Sequence, residues 1–254
     1  MGKLTGKTAF VTGGSRGIGR SISLRLAEEG ALVAVHYGRN RAAGEAVVQE
    51  IKQRGGAAFA VGAELGSTSH IEQLFDSLDT LLQERTGNRH FDILVNNAGM
   101  ALSATIEETT EQAFDEIMAV NVKAPFFLIQ QALPRLRDEG RIVNLSSATT
   151  RISLPALPAY SMTKGAINVL TLALANQLAP RGITINAILP GFVETDMNAA
   201  TLQSPEGRQF GAEFSIFGRW GQPQDIADIA AFLASPDSRW VTGQLIDASG
   251  GSHL

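Results

Sequence analysis

Residues 8–19, with the sequence Thr-Ala-Phe-Val-Thr-Gly-Gly-Ser-Arg-Gly-Ile-Gly, decide how this chain folds. The apolar run Thr8–Val11 predicts a strand, and the pattern Ile18–Glu29 predicts a helix. The glycines between them keep side chains away from the helix N-terminus, whose free N–H groups attract a diphosphate. Glycines also make ordinary turns, but a strand before them and a helix after them favour a dinucleotide-binding turn.

Strand and helix patterns alternate along the rest of the chain. The further predicted strands are Leu32–His36, Ala57–Val61, Ile93–Val95, Arg141–Leu145, Thr184–Leu189 and Gln244–Asp247. The further predicted helices are Ala42–Arg54, Ser69–Arg85, Glu111–Ala119, Val122–Arg137, Tyr160–Leu178 and Gln224–Ala234. Most strands are apolar throughout, which is typical of a parallel sheet covered on both faces. We therefore predict an α/β fold with a doubly wound parallel sheet, a three-layer Rossmann fold, in a single domain of residues 1–254.

The least regular stretch, Phe192 to Gly221, follows the strand predicted to end at Leu189. Ligands of open α/β sheets bind beyond the carboxyl ends of the strands, so residues 192–221 are predicted to form a substrate lid. The apolar residues expected on its inner surface are Phe210, Phe214, Ile216 and Phe217. The other expected wall residues are Thr149, Arg151, Leu154 and Leu157. Such a wall favours a substrate with a hydrophobic tail.

Composition excludes several classes of protein. The chain has no cysteine, which rules out disulfides and thiolate chemistry, and its four histidines lack ligand-like spacing, so we expect no metal site. A net charge of −4, with 21 basic and 25 acidic residues interspersed, argues against a nucleic-acid partner. No apolar run is long enough to span a membrane, and residues 1–7 are too short and polar for a secretion signal. We expect a cytoplasmic protein without a membrane partner.

The second predicted strand ends in His36-Tyr37-Gly38-Arg39, without the carboxylate that NAD-binding chains direct at the ribose 2′-hydroxyl. Arg16 and Arg39 can both lie near the 2′ position, where guanidinium groups suit a phosphate. This pattern predicts NADP(H) as cofactor. The alternative is that both arginines are ordinary surface charges.

Tyr160 and Lys164 begin a predicted helix and, four residues apart, lie on the same face of it. A phenol with a pKa of about 10 is a poor acid–base group at neutral pH. A neighbouring ammonium, together with an oxidised nicotinamide, would stabilise the phenolate and lower that pKa. The same spacing also arises where a helical tyrosine merely neighbours a surface lysine, but a dinucleotide-binding chain favours catalysis.

The order of these motifs resembles that of the short-chain dehydrogenase/reductase family. The motifs are residues 12–19, Asn96–Gly99, Ser147, Tyr160 with Lys164, and Pro190-Gly191. Essentially the whole chain takes part in the resemblance. Residues 181–186 and 190–197 are most similar to 3-oxoacyl-carrier-protein reductases.

The resemblance implies four catalytic residues. Tyr160 would be the general acid in reduction and the base in oxidation, and Lys164 would hold the nicotinamide ribose. Ser147, rather than its neighbour Ser146, would donate to the substrate carbonyl oxygen. Asn121 would maintain a water relay to the lysine, although without the family it would be interpreted as a helix cap.

The resemblance also implies the cofactor contacts, which lie at or just beyond the ends of predicted strands. They are Gly13, Ser15, Arg16, Gly17, Ile18, Gly19, Tyr37, Arg39, Ala63, Glu64, Asn97, Ala98, Gly99, Tyr160, Lys164, Pro190, Gly191, Val193 and Thr195. One position departs from the family, because many members carry an aspartate against the adenine where this chain has Ala63-Glu64-Leu65. Glu64 replaces it only if its side chain turns toward the adenine.

The implied function is NADPH-dependent reduction of a ketone or 3-oxoacyl substrate by hydride transfer. The alternatives are an NAD-dependent dehydrogenase of a sugar, steroid or other secondary alcohol, and a non-catalytic cofactor sensor. A carrier protein could dock on Arg135, Arg137 and Arg181, which are equally explained as solvated helix ends.

The resemblance further implies a homotetramer built on the helices Val122–Arg137 and Tyr160–Leu178, with Gly243–Leu254 as a second interface. The apolar residues consistent with this are Phe126, Phe127, Ile129, Val169, Leu172 and Leu174. Core packing explains the same residues equally well.

Overall fold

The computed structural model, which describes residues 2–252, contains a seven-stranded parallel sheet in the order β3-β2-β1-β4-β5-β6-β7. The strands are β1 Thr8–Val11, β2 Leu32–Tyr37, β3 Ala57–Gly62, β4 Phe91–Asn96, β5 Leu136–Leu145, β6 Thr184–Pro190 and β7 Leu245–Ala248. The order reverses between β1 and β4, which opens a crevice at the carboxyl ends of these two strands. The predicted doubly wound α/β fold is confirmed.

Helices cover both faces of the sheet. They are α1 Gly17–Glu28, α2 Arg41–Gln53, α3 Thr68–Thr86, α4 Glu111–Met118, α5 Ala124–Ala132, α6 Pro158–Leu178, α7 Ala199–Leu202, α8 Pro205–Glu213 and α9 Pro223–Ala234. Successive strand residues point to opposite faces, so Val11 packs toward α1, α2 and α9, whereas Phe10 packs toward α3, α5 and α6. Both residues are fully buried, as a strand covered on two faces requires.

The boundary between α5 and β5 differs from the sequence prediction. The helix predicted to reach Arg137 ends at Ala132, and strand β5 already begins at Leu136. Pro134 explains the early end, because it has no N–H to continue the helical hydrogen bonds. Strand β5 then carries an irregularity before Arg141, with Glu139 at a φ of 59°.

Two kinds of structure are absent from residues 2–252. No helix there combines the length and apolarity needed to cross a membrane. Nor do three or more histidine, aspartate or glutamate side chains converge as metal ligands do. His36 is buried in β2, His70 and His90 are exposed, and His253 lies outside the described residues together with Met1 and Leu254. Two residues of the predicted C-terminal interface are therefore not described.

Candidate active site

A cavity of about 760 Å³ opens at the carboxyl ends of the strands, where the strand order reverses. The predicted site residues that line it are Gly13, Ser15, Arg16, Gly17, Ile18, Gly19, Ala63, Asn97, Ala98, Gly99, Ser147, Tyr160, Lys164, Pro190, Gly191, Val193 and Thr195. Four others, Tyr37, Arg39, Glu64 and Asn121, do not line it. Segments far apart in the chain thus meet in one crevice.

The glycine-rich turn has no room for side chains. Gly13 adopts a φ of +62°, and a β-carbon on it would lie 2.9 Å from the Ala98 Cα. A β-carbon on Gly19 would overlap the Gly13 carbonyl oxygen and the Asn97 amide. Helix α1 begins directly after Arg16, whose side chain does not cap it. Its first N–H groups therefore remain available to an anion at the cavity wall.

The loop after β4 holds this turn in place. The Asn97 amide donates to the carbonyl oxygens of Thr12 and Gly13, both at 3.0 Å. The Thr12 hydroxyl donates to Val95 and accepts the N–H groups of Asn97 and Ala98. The Asn97 side chain, predicted to contact the cofactor, is thus engaged in shaping the cradle.

Three predicted cofactor residues sit outside the cavity wall. The Tyr37 ring packs over Gly44 and Gly62, where a β-carbon would collide with it. Arg39, 84% exposed, pairs with Glu64 at 2.8 Å. The Arg39 guanidinium lowers the pKa of the Glu64 carboxyl, so that carboxyl is engaged with arginine. Arg39 is thus turned toward Glu64, whereas Arg16 lines the cavity, and a joint role of the two arginines at the 2′-phosphate stays a prediction.

Tyr160 and Lys164 lie on one side of α6 and both face the cavity. The Lys164 Nζ is 5.6 Å from the centroid of the Tyr160 ring. The Ser147 Oγ, also in the cavity wall, accepts the Thr149 N–H at 3.2 Å, and the Ser147 hydroxyl also interacts with the Tyr160 phenol. The Ser146 hydroxyl instead donates to the Lys164 carbonyl oxygen, so the structure distinguishes the two serines.

The Tyr160 phenol is not acidic in the chain alone, and the predicted lowering of its pKa, which also depends on an oxidised nicotinamide, stays a prediction. Loss of surrounding water raises the pKa of the Tyr160 phenol above its usual value, and the Ser147 hydroxyl offsets only part of this. Burial also lowers the pKa of the Lys164 ammonium to about 8. The Lys164 Nζ donates to the Leu145 carbonyl oxygen at 2.9 Å rather than to the phenol. At neutral pH the phenol is therefore protonated, which is the form that can donate a proton.

Asn121 occupies a π-helical turn, Ala119–Lys123, between α4 and α5, so its interpretation as a helix cap is wrong. Its amide accepts the Met100 N–H and donates to the Met100 carbonyl, both at 2.9 Å. It also donates to the Thr163 hydroxyl at 3.1 Å. Asn121 thereby ties the loop after β4 to helix α6, and the wide turn that aims it has no signature in the sequence.

The substrate end of the cavity is mainly apolar. Met197 and Ala200, which line it, belong to the predicted lid, whereas the wall residues Met100, Ala101, Ile152 and Pro155 were not singled out from the sequence. Thr149, Leu154 and Leu157 line the cavity as predicted, but Arg151 instead pairs with Asp247 at 3.0 Å. These loop residues follow no periodic pattern, which is why sequence inspection misses them.

Of the four predicted inner lid residues, Phe210 lines the cavity. Phe214 packs against Phe192 and Phe210 instead. Ile216 and Phe217 are mostly exposed, so the expectation that they face the substrate is wrong. They lie beside the C-terminal glycines at 250 and 251, because the Ile216 N–H donates to the Gly250 carbonyl.

The arginines considered for a carrier protein lie at the opposite edge of the sheet. Arg135, Arg137 and Arg181 stand at the amino ends of β5 and β6, whereas the cavity opens at the carboxyl ends. The ion pairs are Arg135–Asp79 at 2.8 Å, Arg137–Asp92 at 2.9 Å and Arg181–Asp138 at 2.7 Å. The predicted basic patch near the site is thus wrong, because strand direction separates these residues from the cavity and carboxylates neutralise them.

Comparison with known proteins agrees with this geometry. A family model described as enoyl-(acyl carrier protein) reductase matches residues 13–253. The angucycline C-6 ketoreductase LanV, solved with bound NADP, is 49% identical, with a TM-score of 0.95 over 98% of this chain and 96% of that one. A second LanV structure, with NADP and rabelomycin bound, is 47% identical, with a TM-score of 0.91 over 98% and 97% of the two chains.

Two further relatives place the chain in a family. The 3-oxoacyl-[acyl-carrier-protein] reductase FabG of Staphylococcus aureus is 39% identical over 250 residues, 98% of each chain. A short-chain dehydrogenase/reductase from Serratia marcescens is 36% identical, with a TM-score of 0.90 over 98% of each chain. With the family model covering nearly all of its length, the chain belongs to the short-chain dehydrogenase/reductase family of oxidoreductases.

Proposed function

We propose that this chain is an NADP(H)-dependent ketoreductase in which Tyr160 donates the proton to the carbonyl oxygen. The observation that carries the proposal is the convergence of Ser147, Tyr160 and Lys164 on the cavity that also contains the glycine-rich turn. The uncapped start of α1 and the missing β-carbons of Gly13 and Gly19 fit a diphosphate there. The cofactor is NADP(H), as in the LanV structures.

The chain's own residues supply the proton and stabilise the developing charge. Bound NADPH supplies the hydride. Tyr160, protonated at neutral pH, gives its proton to the carbonyl oxygen, and the neighbouring Ser147 hydroxyl donates a hydrogen bond to the same oxygen when the substrate is bound. Lys164 stabilises the phenolate that remains, since its charged end lies over the tyrosine ring. Asn121, which lies with Lys164 beside Gly99, would maintain the water relay to that lysine.

Replacing Arg16 by alanine should weaken NADPH binding by about tenfold or more, since a charge-assisted hydrogen bond contributes about 1.5–3 kcal/mol. Arg16 lines the cavity at the start of α1, so we assign it to the 2′-phosphate. NADH binding should change little, because NADH lacks that phosphate. Fluorescence titration of each cofactor measures the effect.

Arg39→Ala is the matched control, because Arg39 pairs with Glu64 and does not line the cavity. We expect a smaller loss of NADPH affinity in that variant. An equal loss in both variants would contradict the assignment of Arg16. Tighter binding of NADH than of NADPH by the unaltered chain would overturn the cofactor preference.

We propose an uncharged, ring-bearing ketone as the substrate. The charged wall residues are Arg16, Lys164 and Asp196, so a free carboxylate meets no cation beyond the cofactor and catalytic ends. Phe210 and Met197 are about half exposed and offer apolar surface at the mouth of the cavity. LanV, with rabelomycin bound, supports this choice. Similarity to FabG favours 3-oxoacyl carrier-protein substrates instead, but the arginines considered for docking lie at the far edge.

A substrate panel tests this choice. We expect kcat/KM to be higher for a bicyclic ketone such as tetralone than for an acetoacetyl thioester or a keto-sugar, measured by NADPH absorbance. Phe210→Ala should lower kcat/KM for tetralone by about tenfold, because contact with an aromatic ring contributes about 0.5–1.5 kcal/mol beyond its buried area. Phe217→Ala, an exposed lid phenylalanine outside the cavity wall, serves as the control. Preference for the keto-sugar, or for a carrier-bound 3-oxoacyl chain, would contradict the proposed substrate.

We propose that residues 192–221 act as a lid and that the chain assembles as a homotetramer. The lid's two ends are joined, since the Gly221 N–H donates to the Phe192 carbonyl oxygen at 2.8 Å and the Glu194 N–H donates to the Gly221 carbonyl oxygen at 2.9 Å.

The proposed tetramer rests on the exposed surface of two helices. Helices α5 and α6 expose Phe126, Val169 and Leu172, whereas Ile129, also considered for the interface, is buried in the core. Light scattering should give four times the 27.0 kDa chain mass, and a monomer would contradict the assembly.

A further inference from the structure

His36 is a buried polar residue for which the proposed chemistry has no use. It follows Leu32–Val35, an apolar run in β2, and only 2% of its surface is exposed. Its ring packs edge-on against Phe10, with 6.3 Å between centroids. It also lines the cavity, on the glycine-rich side. A polar ring in this place needs hydrogen-bond partners, because an unpaired buried polar group is costly.

Both ring nitrogens of His36 are engaged by backbone. The Gly13 N–H donates to Nδ1 at 3.0 Å, and Nε2 lies 2.9 Å from the Ala63 carbonyl oxygen. An N–H can only donate and a carbonyl oxygen can only accept, so the partners require a neutral ring with its hydrogen on Nε2. Burial agrees, since it lowers the pKa of His36 to about 4.

Residue 36 thereby connects two walls of the cofactor end. The backbone carbonyl oxygen of His36 accepts the Gly14 N–H at 2.8 Å. The N–H groups of Gly13 and Gly14 therefore both donate to His36. Ala63 directly follows β3, on the other side of β2 from the turn. Gly13 and Ala63 both line the cavity, so the imidazole spans the distance between them.

We propose that His36 is a positioning residue that sets the spacing between the glycine-rich turn and the end of β3, and thereby the affinity for NADP(H). It takes no part in hydride or proton transfer. The inference rests on the proposed function for the identity of the cofactor. Substitution of His36 should therefore change the Kd and KM for the cofactor, whereas substitution of Tyr160 should change kcat.

Three substitutions separate the two hydrogen bonds. His36→Asn places an amide oxygen near the position of Nδ1 and keeps an acceptor for the Gly13 N–H. His36→Gln places an amide nitrogen near Nε2 and keeps a donor for Ala63. His36→Leu fills the space but provides neither the acceptor for the Gly13 N–H nor the donor for the Ala63 carbonyl oxygen. We expect NADPH affinity to fall in the order wild type, Asn, Gln, Leu, because a buried N–H without an acceptor is rarer and costlier than an under-used carbonyl.

Fluorescence titration with NADPH gives the decisive readout, independent of turnover. His36→Leu should raise the NADPH Kd by about ten- to a hundredfold, with the KM for NADPH rising in parallel. The kcat at saturating NADPH and the KM for the ketone should stay within about twofold, since a positioning residue acts on binding alone.

Phe10→Leu is the control for loss of packing, because Phe10 touches the same ring but makes no bond to the turn. It should lower the melting temperature and leave the NADPH Kd nearly unchanged. If His36→Leu does not fold, the Asn and Gln variants give the same test, since each removes one bond. An unchanged Kd in the His36 variants, a fall in kcat alone, or an equal rise in Kd for Phe10→Leu would overturn the proposal. Failure of the unaltered chain to bind NADPH would instead contradict the proposed function.

Discussion

Replacing Tyr160 by phenylalanine should lower kcat for ketone reduction by about a thousandfold, within the range expected for loss of a positioned acid. The substitution removes one oxygen and leaves the ring against the Lys164 ammonium. The Ser147 hydroxyl would remain, but the phenol that donates the proton would be lost, and the Lys164 ammonium is engaged with the Leu145 carbonyl oxygen. NADPH affinity should stay within a few-fold, because the glycine-rich turn is untouched. Steady-state kinetics and NADPH titration measure the two effects separately.

The other tyrosine of the chain supplies the matched control. Tyr37 packs over Gly44 and Gly62 and does not line the cavity, so Tyr37→Phe should keep kcat within about twofold, as surface substitutions away from a site usually do. Retention of more than a tenth of the unaltered kcat by Tyr160→Phe would contradict the assignment of the proton donor. A comparable loss in both variants would point to a general effect of removing a tyrosine hydroxyl.

The second large effect is expected from Gly19→Ala, which should weaken NADPH binding. The added β-carbon would overlap the Gly13 carbonyl oxygen and the Asn97 amide. Neither neighbour can move freely, because Asn97 also bonds Thr12 and Gly13 lies in the turn itself. Overpacking of this kind costs about 1–3 kcal/mol, so the NADPH Kd should rise by about five- to 150-fold. Thermal unfolding should show a lower melting temperature in the same variant.

Gly66→Ala is the control for the glycine substitution. Gly66 lies in a loop where a β-carbon would have no neighbour within 4 Å. Its backbone does not require a glycine, so both the NADPH Kd and the melting temperature should stay near their original values. Normal affinity in Gly19→Ala would show that the turn around Asn97 is not the cradle for the diphosphate.

Most strands and helices were predictable because their signal is local. A continuous apolar run such as Leu32–Val35 predicts a strand buried on both faces, and the structure has β2 there. The end of α5 was missed although Pro134 was visible, because apolar periodicity continued past it. The π-helical turn that aims Asn121 could not be predicted, since nothing in residues 119–123 distinguishes it from ordinary helix.

The site was predictable where the spacing of residues along one helix decides which way their side chains point. A separation of four positions places Tyr160 and Lys164 on one face of α6, and their shared cavity follows from the sheet topology. The prediction of side-chain direction failed for residues in loops, because their direction depends on contacts with segments that are distant in the chain. Arg39 and Glu64 are 25 positions apart, and their pairing removes both from the cavity wall. Phe217 belongs to an apolar stretch but lies against the C-terminal glycines instead of the substrate.

Sequence by itself determined the fold class, and it predicted the glycine-rich turn and the Tyr160–Lys164 pair, because these depend on residue types at short, regular spacings. Tertiary structure alone decided the chemical state of those groups. Burial among distant segments keeps the Tyr160 phenol protonated and lowers the pKa of Lys164, opposite to what the isolated pair predicts for the tyrosine. Tertiary structure also keeps the His36 imidazole neutral, because burial lowers its pKa and its partners Gly13 and Ala63 come from the ends of two other strands. Desolvation and hydrogen bonding depend on everything that surrounds a group, and that surrounding exists only once the sheet has formed.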